Sequence, residues 1–363
     1  SMLLSAILFL SVWLLLLKNQ IFPSFISTFF LVFSIALFIV LLLNLITDFL
    51  KKLRPVIENN IQKKRNRCIQ AHAAKGSPIR VGFFCDSPAY WTSFQELYTL
   101  LKNDPRFQVV LIAVPELQNG KVVNYDIAGF FDNCGYSYEK IYQDGSYKKI
   151  KDLHLDYIFP SRPYDHLRPA HMSNTDLRKN SKLCHITYGT CIFNGKTLDI
   201  VCGFQHLRYY DFVFSETPDH TTIYTEKKRR YPSANTQIIQ VGSPKFDYIH
   251  YRDFTPPHTT YDQVILYTPR WTTSENACSF LDIYQQLFEL AEENRNIKHI
   301  FRPHPLMKKF FLEKIWKEEE WEDFVAKFDR LENAEIDFNP NYLPSFKEAT
   351  VLISDLSSLL PEF

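Results

Sequence analysis

The 363-residue chain carries 41 Lys and Arg against 40 Asp and Glu, a formal charge of +1, so neither a basic excess pointing to nucleic acid nor an acidic disordered tail is present. Hydrophobic residues make up 46% and aromatic residues 15%, which is enough to build two globular domains beside an accessory segment. The 7 cysteines include no CxxC pair and are odd in number, which fits reduced thiols packed as small hydrophobes; no HExxH or Cys/His ligand spacing supports a metal site.

Residues 2–17 are apolar and uncharged. Lys18, Asn19, Gln20 and Pro23 interrupt them, and residues 24–46 form a second uncharged run. A spanning helix needs about 20 apolar residues, so the second run is long enough. The first is short, at about 24 Å of helical rise. The pattern predicts a helical hairpin over residues 1–50, either transmembrane or re-entrant. A signal peptide is disfavoured, because the start has no positive charge and no small-residue cleavage site follows. Lys51, Lys52, Arg54, Lys63, Lys64, Arg65 and Arg67 mark the cytoplasmic side and suit anionic lipid. Residues 51–76 read as a basic juxtamembrane helix.

Residues 79–85 (IRVGFFC) are a short β-rich apolar run, followed by Asp86, Ser87 and Pro88 as turn and helix-start signals. Residues 90–101 carry apolar residues at helical spacing, and residues 107–114 are the next strand. This βαβ unit recurs more weakly through a helix at 126–134 and strands at 156–160, 183–188, 211–215 and 237–241. Alternation of this kind predicts an α/β fold with a parallel sheet covered on both faces. No GxGxxG follows the first strand and no P-loop is present.

Pro256, Pro257 and His258 stand in a polar linker that gives the best domain boundary, with an N-terminal Rossmann-like acceptor domain over 77–250 and a second over 251–363. The second begins with a strand at 264–267, then a helix at 280–294, a strand at 297–302, a charged helical stretch at 308–329 and a strand at 350–353. Three polar clusters follow strands here: residues 268–273 with Thr268 and Arg270, residues 302–305 with Arg302 and His304, and residues 354–358 with Asp355, Ser357 and Ser358. Ligands of open α/β sheets sit outside the carboxyl ends of strands, so the clusters form one site if their strands are neighbours.

Ser357 and Ser358 at a helix start suit a phosphate, or are ordinary caps. Asp355 orients the turn. Pro303 and Pro305 fix where His304 points, in a loop where an imidazole can transfer a proton or stabilise developing charge. Arg270 is either a phosphate fork or a surface ion pair. In the first domain His185, Tyr188, Gly189 and Thr190 lie at a strand end; either His185 or Tyr188 faces the cleft, or His185 is a buried strand residue. The stretch 164–169, with Arg168, is a candidate for acceptor binding and reads equally as an ordinary loop. No DxD occurs, so charge on a diphosphate falls to helix N-termini, Arg and His.

The segments ILYTPRW, GSPKFD, FRPHPL and VLISDLSS stand in an order and spacing that resemble the CDP-glycerol glycerophosphotransferase family, the bacterial teichoic-acid and capsule polymerases and primases. The similarity covers residues 180–363 well and 79–180 loosely. It implies a two-domain GT-B-like fold and metal-independent transfer of glycerol phosphate from CDP-glycerol to a hydroxyl of a membrane-linked or polymeric acceptor, with release of CMP. Arg302 and His304 match the family's histidine motif, and Ser357 and Ser358 its donor-phosphate serine pair. The family's first-domain motif reads HGT with a catalytic histidine. Here it reads Tyr188-Gly189-Thr190, and His185 is the candidate substitute. The chain stops at Phe363, where family members continue, so the second domain is expected to be C-terminally incomplete.

The resemblance also implies no cofactor beyond the CDP-linked donor. Its implied partners are membrane lipid and a lipid-linked or polysaccharide acceptor, with no nucleic acid and a possible homo-oligomer. The location is the bacterial cytoplasmic membrane, with catalytic domains facing the cytoplasm. Two rival readings stand beside it: a GT-B glycosyltransferase using a nucleotide sugar for capsule or lipopolysaccharide, and a non-catalytic membrane scaffold.

Overall fold

The computed structural model describes residues 11, 24–118, 120–124, 126–189, 203–250, 255–274, 276–339 and 341–363. Contacts divide the chain into two units, Ser1–Arg67 and Cys68–Phe363.

Helix α1 (Ser24–Ala74) runs for 51 residues. The expected apolar span and the expected basic helix are therefore one element. The polar residues at the junction do not break it: the Thr47 hydroxyl donates back to the Leu43 carbonyl at 2.7 Å, so its hydrogen-bonding capacity is met inside the helix. At 1.5 Å per residue, α1 is about 76 Å long, more than twice the apolar thickness of a bilayer. Phe33, Val40 and Leu43 are each more than half exposed. Among the described residues, α1 is the one helix long and apolar enough to cross a membrane. The first arm of the expected hairpin, residues 2–17, lies outside the described residues apart from Ser11.

In the second unit, β1 (Ile79–Cys85), β2 (Phe107–Ala113), β3 (Tyr138–Lys140), β4 (Tyr157–Pro160), β5 (Lys182–His185), β6 (Phe212–Ser215) and β7 (Gln237–Gln240) form one sheet. Its order is β7-β6-β5-β4-β1-β2-β3, and the neighbouring strands are parallel. The chain begins in the middle and winds outward in both directions, as in doubly wound dinucleotide folds. Strand β1 shows why. Val81, Phe83 and Cys85 enter one apolar cluster and Phe84 enters another, so both faces are covered. Gly82 is required between them, since a Cβ there would come within 2.6 Å of Leu155 Cδ1.

The helix expected over 90–101 is divided into a 3-10 turn, Pro88–Ser93, and a helix, Gln95–Lys102. Ser87 caps the turn by accepting from the Ala89 N–H. Helix Pro218–Lys228 was not expected, although Thr217 caps it and Pro218 stands at its start.

A second sheet holds β8 (Gln263–Thr268), β9 (Ile297–Phe301), β10 (Ala334–Ile336) and β11 (Val351–Ser354), parallel in the order β10-β9-β8-β11. It repeats the same outward winding. Phe280, Phe301, Phe324 and Phe328 fill one face, and Val264, Leu266 and Ile300 the other. The single charged helix expected over 308–329 is two, Met307–Lys314 and Glu318–Phe328. The break lets Trp316 pack edge-on to Phe280 and Phe311. The Glu320 carboxylate accepts from the Lys317 N–H at 2.7 Å and starts the second helix.

Candidate functional site

Strand β8 lies between β9 and β11, so the three polar clusters leave adjacent parallel strands at their carboxyl ends. Thr268 pairs in register with Ser354, and its hydroxyl donates to Ser354 Oγ at 2.7 Å. Asp355 Oδ2 accepts from the backbone N–H of Arg270 at 2.8 Å and of Ser279 at 3.0 Å. That carboxylate therefore ties the loop after β8 to the start of helix Phe280–Glu293. Ser357 Oγ accepts from the Leu359 N–H at 3.2 Å and acts as a cap. Ser358 precedes the short helix Leu359–Glu362 without a side-chain cap.

His304 is held in detail. Its Nδ1 accepts from the Leu306 N–H at 3.1 Å, so the neutral ring carries its proton on Nε2. The ring stacks on Trp271 at 6.0 Å, while the residue stays open to solvent. Burial of the packed part, then the nearby Arg270 charge, lowers its pKa to about 4, so it is neutral at pH 7. Arg302 donates through Nη1 to Asp337 and through Nη2 to the Asn339 carbonyl at 2.6 Å. Two of its guanidinium nitrogens thus brace the loop after β10.

Arg302, His304 and Lys308 line a cavity of 380 Å³ whose opposite wall comes from the first sheet's half: Ser87, Pro88 and Asp126. Thr268, Arg270, Asp355, Ser357 and Ser358 are not among its walls. The clusters after β8 and β11 therefore do not converge with Arg302 and His304 on this cavity; their hydrogen bonds join the loop after β8, β11 and the start of helix Phe280–Glu293 to one another.

The first sheet's candidates behave differently. His185 is 2% exposed, edge-on to Tyr210 at 5.6 Å, and its Nδ1 has no hydrogen-bond partner among the described residues. Burial alone lowers its pKa to about 4. Tyr188 shares a 3.2 Å hydroxyl contact with Tyr164 and packs edge-on to Tyr90. Burial, then Tyr164, pushes its pKa up, so the phenol stays protonated. Gly189 is half-buried beside it, and Thr190 lies outside the described residues. Arg168 is buried, with Nη2 donating to Asp165 Oδ1 at 3.0 Å and Asn174 Oδ1 at 2.8 Å.

The sequence reading did not single out the polar group at the point where β1 and β4 diverge. Asp86 accepts from the Ser161 hydroxyl at 2.6 Å and from Arg162 Nε at 2.9 Å. Arg162 also donates to Glu116 at 3.0 Å and lies over the Tyr90 ring. The signal was available, since polar residues follow both apolar strands, but their pairing needs the strand order. Among the described residues no group of three or more His, Cys, Asp or Glu is placed to hold a metal ion.

Two Rossmann-like parallel sheets with a cavity walled by both define a GT-B-like α/β architecture. Residues 203–363 match the sequence model of the family described as CDP-Glycerol:Poly(glycerophosphate) glycerophosphotransferase, so this part of the chain is a glycerophosphotransferase-family domain. The match starts after residues 188–190, where the family's HGT motif was expected. No curated protein matches the chain. Similar solved structures include a co-structure of MnaA with UDP from S. aureus, 10% identical over 77% of this chain and 75% of that one, with a TM-score of 0.48. The UDP-GlcNAc 2-epimerase of Neisseria meningitidis bound to UDP-GlcNAc is 12% identical over 77% and 79%, also with a TM-score of 0.48. The fold assignment rests on strand order and not on these values.

Proposed function

We propose that the chain is a membrane-anchored transferase. It moves glycerol phosphate, or a related polyol phosphate, from a CDP-linked donor to a hydroxyl of a lipid-linked or polymeric cell-envelope acceptor. The observation that carries this reading is that the family-matched residues 203–363 also supply one side of the 380 Å³ cavity, with Arg302, His304 and Lys308 beside Asp337, the partner of Arg302.

In the proposed step the acceptor oxygen bonds to the phosphorus that bears the glycerol. The bond from that phosphorus to the CMP oxygen breaks, CMP leaves with the electron pair, and the proton of the acceptor hydroxyl passes to solvent water. Negative charge on the phosphoryl oxygens must be met. A neutral His304 has an Nε2–H to donate to one of them, in a position where its Nδ1 is already held. With Nδ1 occupied, Nε2 protonated and a pKa near 4, His304 is a poor general base. Its role in this reading is that of a donor.

Helix α1 would hold the enzyme where a lipid-linked acceptor diffuses, raising the effective concentration of each for the other. Lys51 and Lys52 follow its apolar part and would keep the catalytic unit on the cytoplasmic side. The test is a donor panel on the full chain in native membranes, with CDP-glycerol, CDP-ribitol and nucleotide sugars, reading nucleotide release. CMP from a CDP-polyol is the expected result. Turnover of a nucleotide sugar, with no CMP from either polyol donor, would sink the reading.

A further inference from the structure

We infer that the buried Lys245–Glu362 ion pair is a releasable latch that holds the halves built on the two sheets against each other, and so sets the width of the cavity walled by both. The inference is independent of the chemistry of transfer. It starts from GSPKFD, residues 242–247, a segment that supplies none of the walls of the 380 Å³ cavity. Helix Pro244–His250 opens inside it, after Gly242, whose φ of +91° turns the chain away from β7. The polar linker and β8 follow, so Lys245 stands where the chain crosses from the first half to the second.

Both halves share this helix. It packs on helix Gln95–Lys102 and on the 3-10 turn Pro88–Ser93 of the first. Its buried Tyr248 enters the apolar cluster of Val264, Leu266 and Ile300 in the second. Lys245 Nζ meets Glu362 Oε1 at 2.7 Å and lies 5.5 Å from the centre of the Tyr342 ring. Glu362 is carried by the second half, because Leu359 packs against the same apolar cluster and Phe363 stands edge-on to Phe346 at 5.3 Å. Lys245 and Glu362 are each 5% exposed.

Burial decides what such a pair does. Two charges taken out of water lose hydration that their attraction barely repays, so a buried pair adds little stability over an apolar pair of similar size. The two kinds of contact differ when they separate. Apolar side chains drawn apart meet water at a cost that grows with their area. Lys245 and Glu362 drawn apart each regain hydration. The pair therefore demands one geometry while the halves are together and gives way when they part. Tyr248 supplies the apolar share of the contact, which favours closure without fixing its geometry. Removing one partner reverses the balance, because the other charge is then buried without that counter-ion only while the halves stay closed.

The test uses the full chain in detergent with two nitroxide labels, one at Lys151 in the first half and one at Glu292 in the second, both exposed positions. They are attached through a ketone-bearing amino acid, which leaves the 7 cysteines in place. Pulsed electron spin resonance reads the distances between them. Lys245→Met and Glu362→Gln should each raise the population of longer distances by about 10-fold or more. The double variant Lys245→Met/Glu362→Leu, with an apolar pair in the same place, should return the distribution to that of wild type or narrow it. Hydrogen exchange of β1 and β8 should match wild type throughout, which separates the parting of intact halves from loss of the fold. The latch is overturned if either single variant keeps the wild-type distances, if the double variant opens as far as the single ones, or if β1 and β8 lose protection in every variant.

Discussion

His185 and His304 both stand at or just beyond the carboxyl end of a parallel strand, and both have pKa values lowered to about 4. Their surroundings separate them. His185 is enclosed between strands with burial as the single cause, and its ring touches Tyr210. His304 is packed on one side by Trp271, feels the Arg270 charge, and lines a cavity. A depressed imidazole pKa arises equally in a core and in a site, so the shift identifies neither. What distinguishes His304 is a ring held through Nδ1 at the edge of a cavity.

The comparison breaks most visibly in turnover. His304→Ala should lower CMP release by about 10²–10³-fold, the usual loss when one donor to developing charge is removed. His304→Gln, which keeps an N–H, should recover part of it. His185→Phe should stay within about 3-fold of wild type, because it keeps a ring against Tyr210. If His185→Phe loses as much as His304→Ala with folding intact, the two histidines have been assigned the wrong way round.

Stability against pH sharpens the same contrast. An unfolded imidazole titrates near 6.5, so between about pH 4 and 6.5 the unfolded chain binds more protons than the folded one. Stability is therefore full above about pH 6.5 and declines as pH falls towards 4. For the enclosed His185 the shift corresponds to on the order of 3 kcal/mol. Denaturant unfolding of wild type and His185→Phe at pH 7 and pH 4.5 should show a flatter dependence in the variant. Equal slopes would mean that His185 titrates normally in the folded protein.

Arg302 gives a smaller effect of a different kind. Its guanidinium is paired with Asp337 and the Asn339 carbonyl, so it acts first as a brace for the loop after β10. Arg302→Lys should cost about 2 kcal/mol of stability, since an ammonium does not reproduce the fork, with a lesser change in KM for the CDP-linked donor. A large rise in KM at unchanged stability would make it a direct phosphate ligand instead.

Much of this was legible from residue patterns. The strands β1, β2, β8 and β9 read directly from apolar runs bounded by turn residues, and the three polar clusters of the second sheet were located by their position after strands. Strands β3 and β10 were missed because three residues are too few for a period to show. The division of residues 308–329 into two helices depends on where Trp316 finds its aromatic partners, a tertiary fact. The site was half legible for the same reason. FRPHPL drew attention to Arg302 and His304, but not to Asp337 as the partner of Arg302 or to Leu306 as the donor that sets the His304 tautomer. The Asp86–Arg162–Glu116 group joins residues 46 to 76 positions apart, and only strand order brings them together.

The smallest effect concerns Tyr188, where the resemblance led to the expectation of a histidine and which lies before the family-matched residues 203–363. A phenol can replace a histidine base only if it ionises readily. Tyr188 does the opposite: burial first, and Tyr164 second, push its pKa up, and its hydroxyl is engaged with that of Tyr164 at 3.2 Å. Its ring meanwhile packs edge-on to Tyr90, and the Ser93 hydroxyl donates to its carbonyl at 3.2 Å. Each contact is structural: those to Tyr90 and Ser93 join the loop after β5 to the 3-10 turn Pro88–Ser93, and that to Tyr164 joins it to the segment after β4. Tyr188→Phe should therefore cost about 1 kcal/mol, one hydrogen bond, and leave CMP release within about 3-fold. A loss of turnover beyond 100-fold in a folded Tyr188→Phe variant would put the hydroxyl in contact with the reacting atoms. The first sheet would then carry chemistry of its own, and the division between a site in the second sheet and a packed strand end in the first would have to be given up.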